Sequence, residues 1–381
     1  MISNTEAGRI KSILIIRFQR LGDLILVLTL VQNLRTAFPN ARLTLLCQEI
    51  YADFFRQQIG VDDVVAIPKK AGLKGQLAGW LAALRSLIKT SFDLVIDVSD
   101  NRRSSQLTRL TRAPLRIGFW PPTRSRRSIW EKGCYNLFAP TLPLEEEKHG
   151  HFVNRYLAPL QVLGVPVYLS KPSITATEAD RVTVGKFGLG ARPYAVIHPG
   201  ARTPNRRWPA KGYVPVIEHL MGRGISVVII GDDSERPIAD EIAEMSVAAR
   251  FINLVGKLTL GQLAALLERC TLYIGNNTGP MHIAAGVGAR IVAIYGIHAT
   301  LWAPLTEDHV MVAPARPCKC IDPTLCQPHN PDASLCINHN SVADVLRAVD
   351  TQLLAAERAG TFSFSPPDDL LSGQVSGRPE A

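Results

Sequence analysis

The sequence predicts an α/β protein made of two doubly wound parallel-sheet domains in tandem. Three observations point there. Short apolar runs alternate with helical segments through the first half of the chain. The alternation restarts near Tyr194. Two apolar strands, one in each half, end in a polar turn that opens directly into a helix. A chain of 381 residues is also long enough for two ordinary cores.

In the first half, strands are expected at Ile13–Ile16, Arg42–Cys47, Val64–Ile67, Leu94–Asp97 and Leu115–Gly118. Helices are expected at Asp23–Ala37, Ile50–Gln57 and Gly75–Lys89. The first helix carries Leu24, Val27, Leu28, Val31 and Leu34 at helical spacing. His149–Leu163 reads as a helix with Tyr156, Leu157 and Leu160 on its apolar face. Residues 1–165 form the first domain, and 166–192 the linker region.

The second domain spans 193–340. Tyr194–His198 is a strand ending in His198-Pro199-Gly200, and a helix lies between Trp208 and Gly222. Ser226–Gly231 is a buried strand that runs into Asp232. Thr259 caps a helix over Leu260–Glu268, and Thr271–Ile274 and Arg290–Tyr295 are further strands. Neither first strand is followed by Gly-x-Gly-x-x-Gly, which argues against a dehydrogenase. Residues 341–358 form an amphipathic last helix. Residues 361–381, rich in Ser, Pro and Gly, are expected to be disordered.

Hydrophobic residues make up 46% of the chain, with no apolar run of membrane-spanning length and no signal-peptide core in Met1–Arg9. A cytoplasmic location is expected, with peripheral contact to a membrane face left open. The net charge of +9 is uneven: eight arginines and no acidic residue lie between Asn101 and Trp130. Such a stretch attracts polyanions or an anionic membrane, or is a solvated face. No zinc-finger spacing, RNP aromatic pattern or basic heptad helix accompanies it, so nucleic acid is not expected as a partner.

The most informative stretch is Ile274 to His282, with Asn277-Thr278-Gly279-Pro280-Met281 at its centre. Proline suits a first helical turn, and Thr278 suits the N-cap. Unpaired amides at the positive end of a helix make an anion site, most often for phosphate; an ordinary strand-to-helix connection is the alternative. The second stretch is Ile13 to Leu26, where Asp23 stands at a helix start. It is either a dipole-stabilised cap or a general base at the carboxyl end of a parallel strand.

Together these stretches resemble the lipopolysaccharide heptosyltransferases, inverting glycosyltransferases of GT-B architecture with two facing Rossmann-like domains and an interdomain cleft. The resemblance covers roughly residues 11–350. It rests on Arg17 with Leu21-Gly22-Asp23, Phe38-Pro39-Asn40-Ala41, Ile117-Gly118, His151 to Leu157, His198 to Ala201, Trp208-Pro209, Gly256-Lys257 and Asn277 to His282, in that order.

The resemblance implies transfer of a heptose from an ADP-sugar donor to an acidic or phosphorylated lipopolysaccharide core, with Asp23 as the catalytic base. Peripheral contact with the inner membrane fits that acceptor. The helix start at Thr278, Gly279 and Met281 would hold the donor diphosphate with Arg206, where relatives commonly have lysine; Arg207 is the adjacent alternative. Asn277 replaces a common aspartate and so lacks its charge. His282 either donates to the diphosphate or is a packed helix residue. His198 either lines the cleft or is bonded to the backbone. Arg124, Arg126 and Arg127 are the acceptor candidates. The sequence has no Asp-x-Asp motif, so no metal is expected in the reaction, the helix dipole and arginine standing in for the cation. The last helix is expected to pack toward the first domain.

Cys318, Cys320, Cys326 and Cys336 cluster in a loop over 318–336. They could hold a structural zinc, pair if oxidised, or remain reduced. Three rival readings remain. They are a same-family enzyme for another sugar or acceptor, a non-catalytic nucleotide-sugar-binding homologue, and a nucleic-acid binder resting on charge alone.

Overall fold

The computed structural model describes residues 8–68, 73–119, 129–141, 150–189, 192–203, 206–246, 251–296, 300–314 and 335–360. The chain divides into two compact units. The first runs to Thr177 and includes Thr300–Thr306; the second takes the chain from Glu178 onward without that segment.

The first unit contains β1 (Ser12–Ile16), α1 (Leu21–Ala37), β2 (Arg42–Gln48), α2 (Glu49–Arg56), β3 (Asp63–Ile67) and α3 (Leu73–Lys89). It continues with β4 (Leu94–Asp97), α4 (Arg102–Leu110), β5 (Leu115–Phe119), α5 (Ile129–Lys132), β6 (Leu137–Ala139) and α6 (Val153–Leu163). Its sheet is parallel, in the order β3-β2-β1-β4-β5-β6. Ile13–Ile16 are wholly buried at its centre, as strands covered on both faces must be.

Helix α1 is buried on nearly every side, so it is less one-sided than its sequence spacing suggests. The reason is that α6 packs against it and the chain after α6 forms a strap over it. Asn33 Oδ1 accepts the amides of Tyr168 and Leu169 at 2.7 and 3.0 Å, and Gln32 exchanges bonds with Ser173 in both directions. Each amide side chain serves as a peptide-like partner for extended backbone, which satisfies both. The expected linker therefore splits: residues 166–177 belong to the first unit.

The second unit contains α7 (Glu178–Gly185), β7 (Tyr194–His198), α8 (Ala210–Met221), β8 (Ser226–Ile229), α9 (Arg236–Met245), β9 (Ile252–Asn253) and α10 (Leu260–Glu268). It continues with β10 (Leu272–Asn276), α11 (Gly279–Gly286), β11 (Ile291–Ile294), β12 (His309–Val312), α12 (Leu335–Asn338) and α13 (Val342–Arg358). This sheet is also parallel, in the order β12-β11-β10-β7-β8-β9. Strand β10 runs two residues past the expected end, because Gly275 pairs with His198 and Asn276 with Ile294.

Helix α13 puts Val345, Val349 and Leu353 into one cluster with Ile294 and Val312. Its apolar face is thus in the second unit's own core. In both sheets the strand order reverses once beside the first strand, between β1 and β4 and between β7 and β10. Ligands of open α/β sheets bind outside the carboxyl ends of the strands at such points.

Candidate active site

In the first unit, the β1/β4 reversal gathers Arg17, Asp23, Asp100, Arg155 and Tyr156. Asp23 lies in the first turn of α1 and is 3% exposed. Arg20 occupies the N-cap position, so Asp23 is not the cap itself but an acidic residue of the first turn, where the helix dipole favours its charge. The Asp23 carboxylate meets Arg17 Nη2 at 2.7 Å through Oδ2 and accepts the Tyr156 hydroxyl on Oδ1. Arg17 Nη1 donates to the Val98 carbonyl at 3.1 Å, so the guanidinium spans from β4 to α1. Burial above all pushes the Tyr156 hydroxyl well above its ordinary value, and it stays a donor.

Neighbouring contacts fix this arrangement. Ser99 Oγ accepts the Phe18 amide at 3.0 Å and donates to the Ile16 carbonyl at 3.2 Å, which stitches the ends of β1 and β4 together. Asp97 takes the Tyr135 hydroxyl at 2.6 Å and the Ser99 amide at 2.9 Å. A Cβ on Gly118 would lie 2.6 Å from the Tyr135 ring, which explains the glycine of Ile117-Gly118. Arg155 and Asp100 form a buried ion pair. His151 Nε2 meets the Ala303 carbonyl at 2.9 Å, and Phe152 stacks on Trp302 at 4.3 Å. These contacts bring Thr300–Thr306 into the first unit. A cavity of about 190 Å3 opens here, lined among others by Arg17, Arg20, Ser99, Asn101 and Arg155. Arg20 and Asp100 hold φ of 69° and 53° without being glycine, a cost of about 1–3 kcal/mol each that tends to gather at functional sites.

The described part of the arginine-rich stretch has two uses. Arg102, Arg103 and Arg109 ride on α4, whose N-terminus Asn101 and Ser104 close with a capping box. Arg116 is used structurally, its Nε donating to the Cys134 carbonyl at 2.9 Å. Arg124, Arg126 and Arg127 lie outside the described residues.

In the second unit, the β7/β10 reversal gathers His198, Glu235, Asn276, Asn277 and Thr278. Thr278 is the N-cap residue of α11, but its hydroxyl caps nothing; it lies 3.0 Å from His198 Nδ1 and donates to the Asn276 carbonyl at 3.2 Å. Asn277 and Gly279 are half-buried, while Met281 and His282 are buried. Asn276, which the sequence reading passed over, is fully buried and makes four bonds. Its Nδ2 donates to the carbonyls of Pro199 and Gly200 at 2.8 and 3.1 Å. Its Oδ1 accepts the Trp208 amide at 3.1 Å and the Tyr213 hydroxyl at 3.3 Å. Trp208 Nε1 continues to the Asn340 carbonyl at 3.0 Å. The Trp208-Pro209 motif is thus tied to the β10 end. Arg207 Nε holds the Ala201 carbonyl at 2.7 Å, whereas Arg206 is exposed.

Of the four clustered cysteines, Cys336 is half-buried in α12; Cys318, Cys320 and Cys326 lie outside the described residues. Among the described residues no group of His, Cys, Asp or Glu could hold a metal ion, and no helix is long and apolar enough to cross a membrane. Residues 361–381 also lie outside the description.

Residues 80–324 match the family described as glycosyltransferase family 9 (heptosyltransferase). The chain is 28% identical over 295 residues to lipopolysaccharide heptosyltransferase 3 of Escherichia coli, covering 75% of this chain and 83% of that one. A solved glycosyl transferase family 9 structure from Veillonella parvula superposes with a TM-score of 0.78 at 24% identity, over 91% of this chain and 98% of that one. The E. coli ADP-heptose LPS heptosyltransferase II does so with a TM-score of 0.73 at 20% identity, over 91% and 99%.

Proposed function

The chain belongs to glycosyltransferase family 9, and on that premise we propose that it moves a heptose from ADP-heptose to the inner core of lipopolysaccharide, with inversion and without a metal ion. The names of the relatives supply the sugar and acceptor classes. The observation that carries the chemistry is the buried Asp23 carboxylate, held by Arg17 and Tyr156 at the β1/β4 reversal.

Asp23 removes the proton of the acceptor hydroxyl as that oxygen attacks the anomeric carbon. The new C–O bond forms on the face opposite the breaking bond to the diphosphate, and the electron pair leaves with ADP. The amides at the start of α11, from Thr278, Gly279 and Met281, take up the charge with Arg206. Asn277 and His282 complete the donor set. Arg124, Arg126 and Arg127 attract the anionic acceptor. Action at the cytoplasmic face of the inner membrane fits that acceptor.

Asp23→Asn should cut turnover by at least about a hundredfold while leaving ADP binding nearly intact. Near-normal turnover would remove Asp23 from the mechanism. Arg206→Ala should weaken ADP binding far more than adenosine binding, and Arg207→Ala beside it decides between the neighbours. A second reading, another nucleotide sugar, is favoured by Asn277, whose side chain carries no charge. A thermal-shift screen of nucleoside diphosphates separates the two, since a ligand at a hundred times its Kd stabilises by about 2.7 kcal/mol.

A further inference from the structure

Helix α3 is apolar on two sides. Its inner side places Ala83 and Leu87 in one cluster with Leu14, Val65 and Val95 of the first sheet, and Trp80 and Leu84 pack against that cluster. The helix is seated closely, because a Cβ on Gly79 would lie 3.0 Å from Pro68 Cγ. Yet Leu77, Leu81 and Ile88 stand on the outer side, 63%, 42% and 61% exposed. Their spacing, i, i+4 and i+11, puts them on one stripe of a 3.6-residue helix. Single exposed leucines are ordinary on a protein surface, but a stripe of them along one helix is not.

Arg85 and Lys89, also exposed, follow the stripe along one flank. The surroundings carry one sign of charge. Residues 64–92 hold five cations and no acidic residue. Helix α4 covers the same face of the sheet, with Leu107 in the same cluster, and its exposed side chains include Arg103, Arg109 and Leu110. The acids between the two helices are engaged elsewhere. Asp93 accepts the amides of Lys11 and Ser12, Asp97 the Tyr135 hydroxyl, and Asp100 pairs with Arg155.

We propose that this face docks on an anionic lipid bilayer, with α3 lying in the interfacial plane. The outer stripe enters the headgroup boundary, and the flanking cations meet lipid phosphates. The one-signed charge around the stripe selects a negatively charged surface and repels a second copy of the same face. Helix α3 begins beyond the carboxyl end of β3, the edge of the sheet at which Asp23 lies. Docking therefore brings that edge beside the bilayer, where a lipid-borne acceptor is carried; in this it rests on the acceptor reading given above.

Flotation of the full chain with vesicles tests the docking face. The wild type should bind mixed phosphatidylglycerol–phosphatidylcholine vesicles and not phosphatidylcholine alone, and binding should weaken as salt is raised. Leu77→Gln with Ile88→Gln, and separately Arg85→Gln with Lys89→Gln, should each lower the partition coefficient by about tenfold or more. These side chains are exposed, so the melting temperature and the ADP affinity should stay at their wild-type values. Equal vesicle binding by the wild type and both variants, or none by the wild type, overturns the docking face. Self-association of the wild type in sedimentation without lipid, lost in Leu77→Gln with Ile88→Gln, would assign the face to a second copy and overturn it too. Vesicle binding that follows these variants, in a protein that transfers no sugar to any lipid-borne saccharide, leaves the docking face standing and overturns the acceptor reading.

Discussion

The hydroxyl of Tyr156 donates to Asp23 Oδ1 across 133 positions of sequence, while Arg17 holds the other carboxylate oxygen. Both Tyr156 and Asp23 are buried, and the Arg17 guanidinium also lies over the Tyr156 ring at 5.5 Å. A carboxylate gripped on both oxygens has no freedom to rotate. Its orientation is set before any substrate arrives, which is what a positioned base requires.

Tyr156→Phe keeps the ring and removes one bond to a charged group, an interaction of about 1.5–3 kcal/mol. Turnover should fall by roughly ten- to a hundredfold, with ADP binding unchanged. Turnover at the wild-type rate would assign Tyr156 to packing alone.

Arg17→Met should destabilise the fold by about 3–5 kcal/mol, because it strands a buried carboxylate without its cation. Adding Asp23→Asn to it should recover much of that loss. Chemical denaturation of the two variants measures this coupling; a double variant no more stable than Arg17→Met would mean that Arg17 acts through the Val98 carbonyl instead.

Asn276→Ala leaves the Trp208 amide and the carbonyls of Pro199 and Gly200 without their buried partner. Each such group costs about 1–3 kcal/mol. The melting temperature should drop by several degrees, and ADP binding should weaken with it as the β10 end loosens. A stable variant with normal ADP affinity would show that water replaces the amide.

Glu235 gives an acid signature of known sign. Its folded carboxyl is held below the unfolded value of 4.5, so it contributes stability that is present above that value and lost as pH falls through the folded one. The stability gap between wild type and Glu235→Gln should therefore narrow on acidification below about pH 5 and hold steady above it. A gap that widened in acid would reverse the assigned direction.

Cys47 is fully buried on β2, and burial pushes its thiol up to about 12. At about pH 8 it is almost wholly protonated and should resist iodoacetamide until the chain is denatured. Native labelling at the rate of an exposed cysteine, read by mass spectrometry, would mean that this sheet opens far below the global unfolding free energy.

The sequence by itself determined the strand–helix alternation, the two-domain division and the strand-to-helix turns at Asp23 and Thr278. These are local matters: apolar period, turn chemistry and helix-start residues lie close together in the chain. Its errors came from distance. Tyr156 reads as one more apolar position on a helical face, because nothing near it shows that its hydroxyl ends on α1. Asn276 is hidden beside Asn277, and its four partners arrive from segments 63 to 77 positions away. Glu235 looks like a surface acid after a strand, until Gly200 makes the space that lets it reach His198. The strap over α1 and the seat of α13 in the second core were likewise decided only in three dimensions. Which polar groups become partners depends on which strand ends the sheet order brings together, and pairing order is a property of the whole fold rather than of any segment.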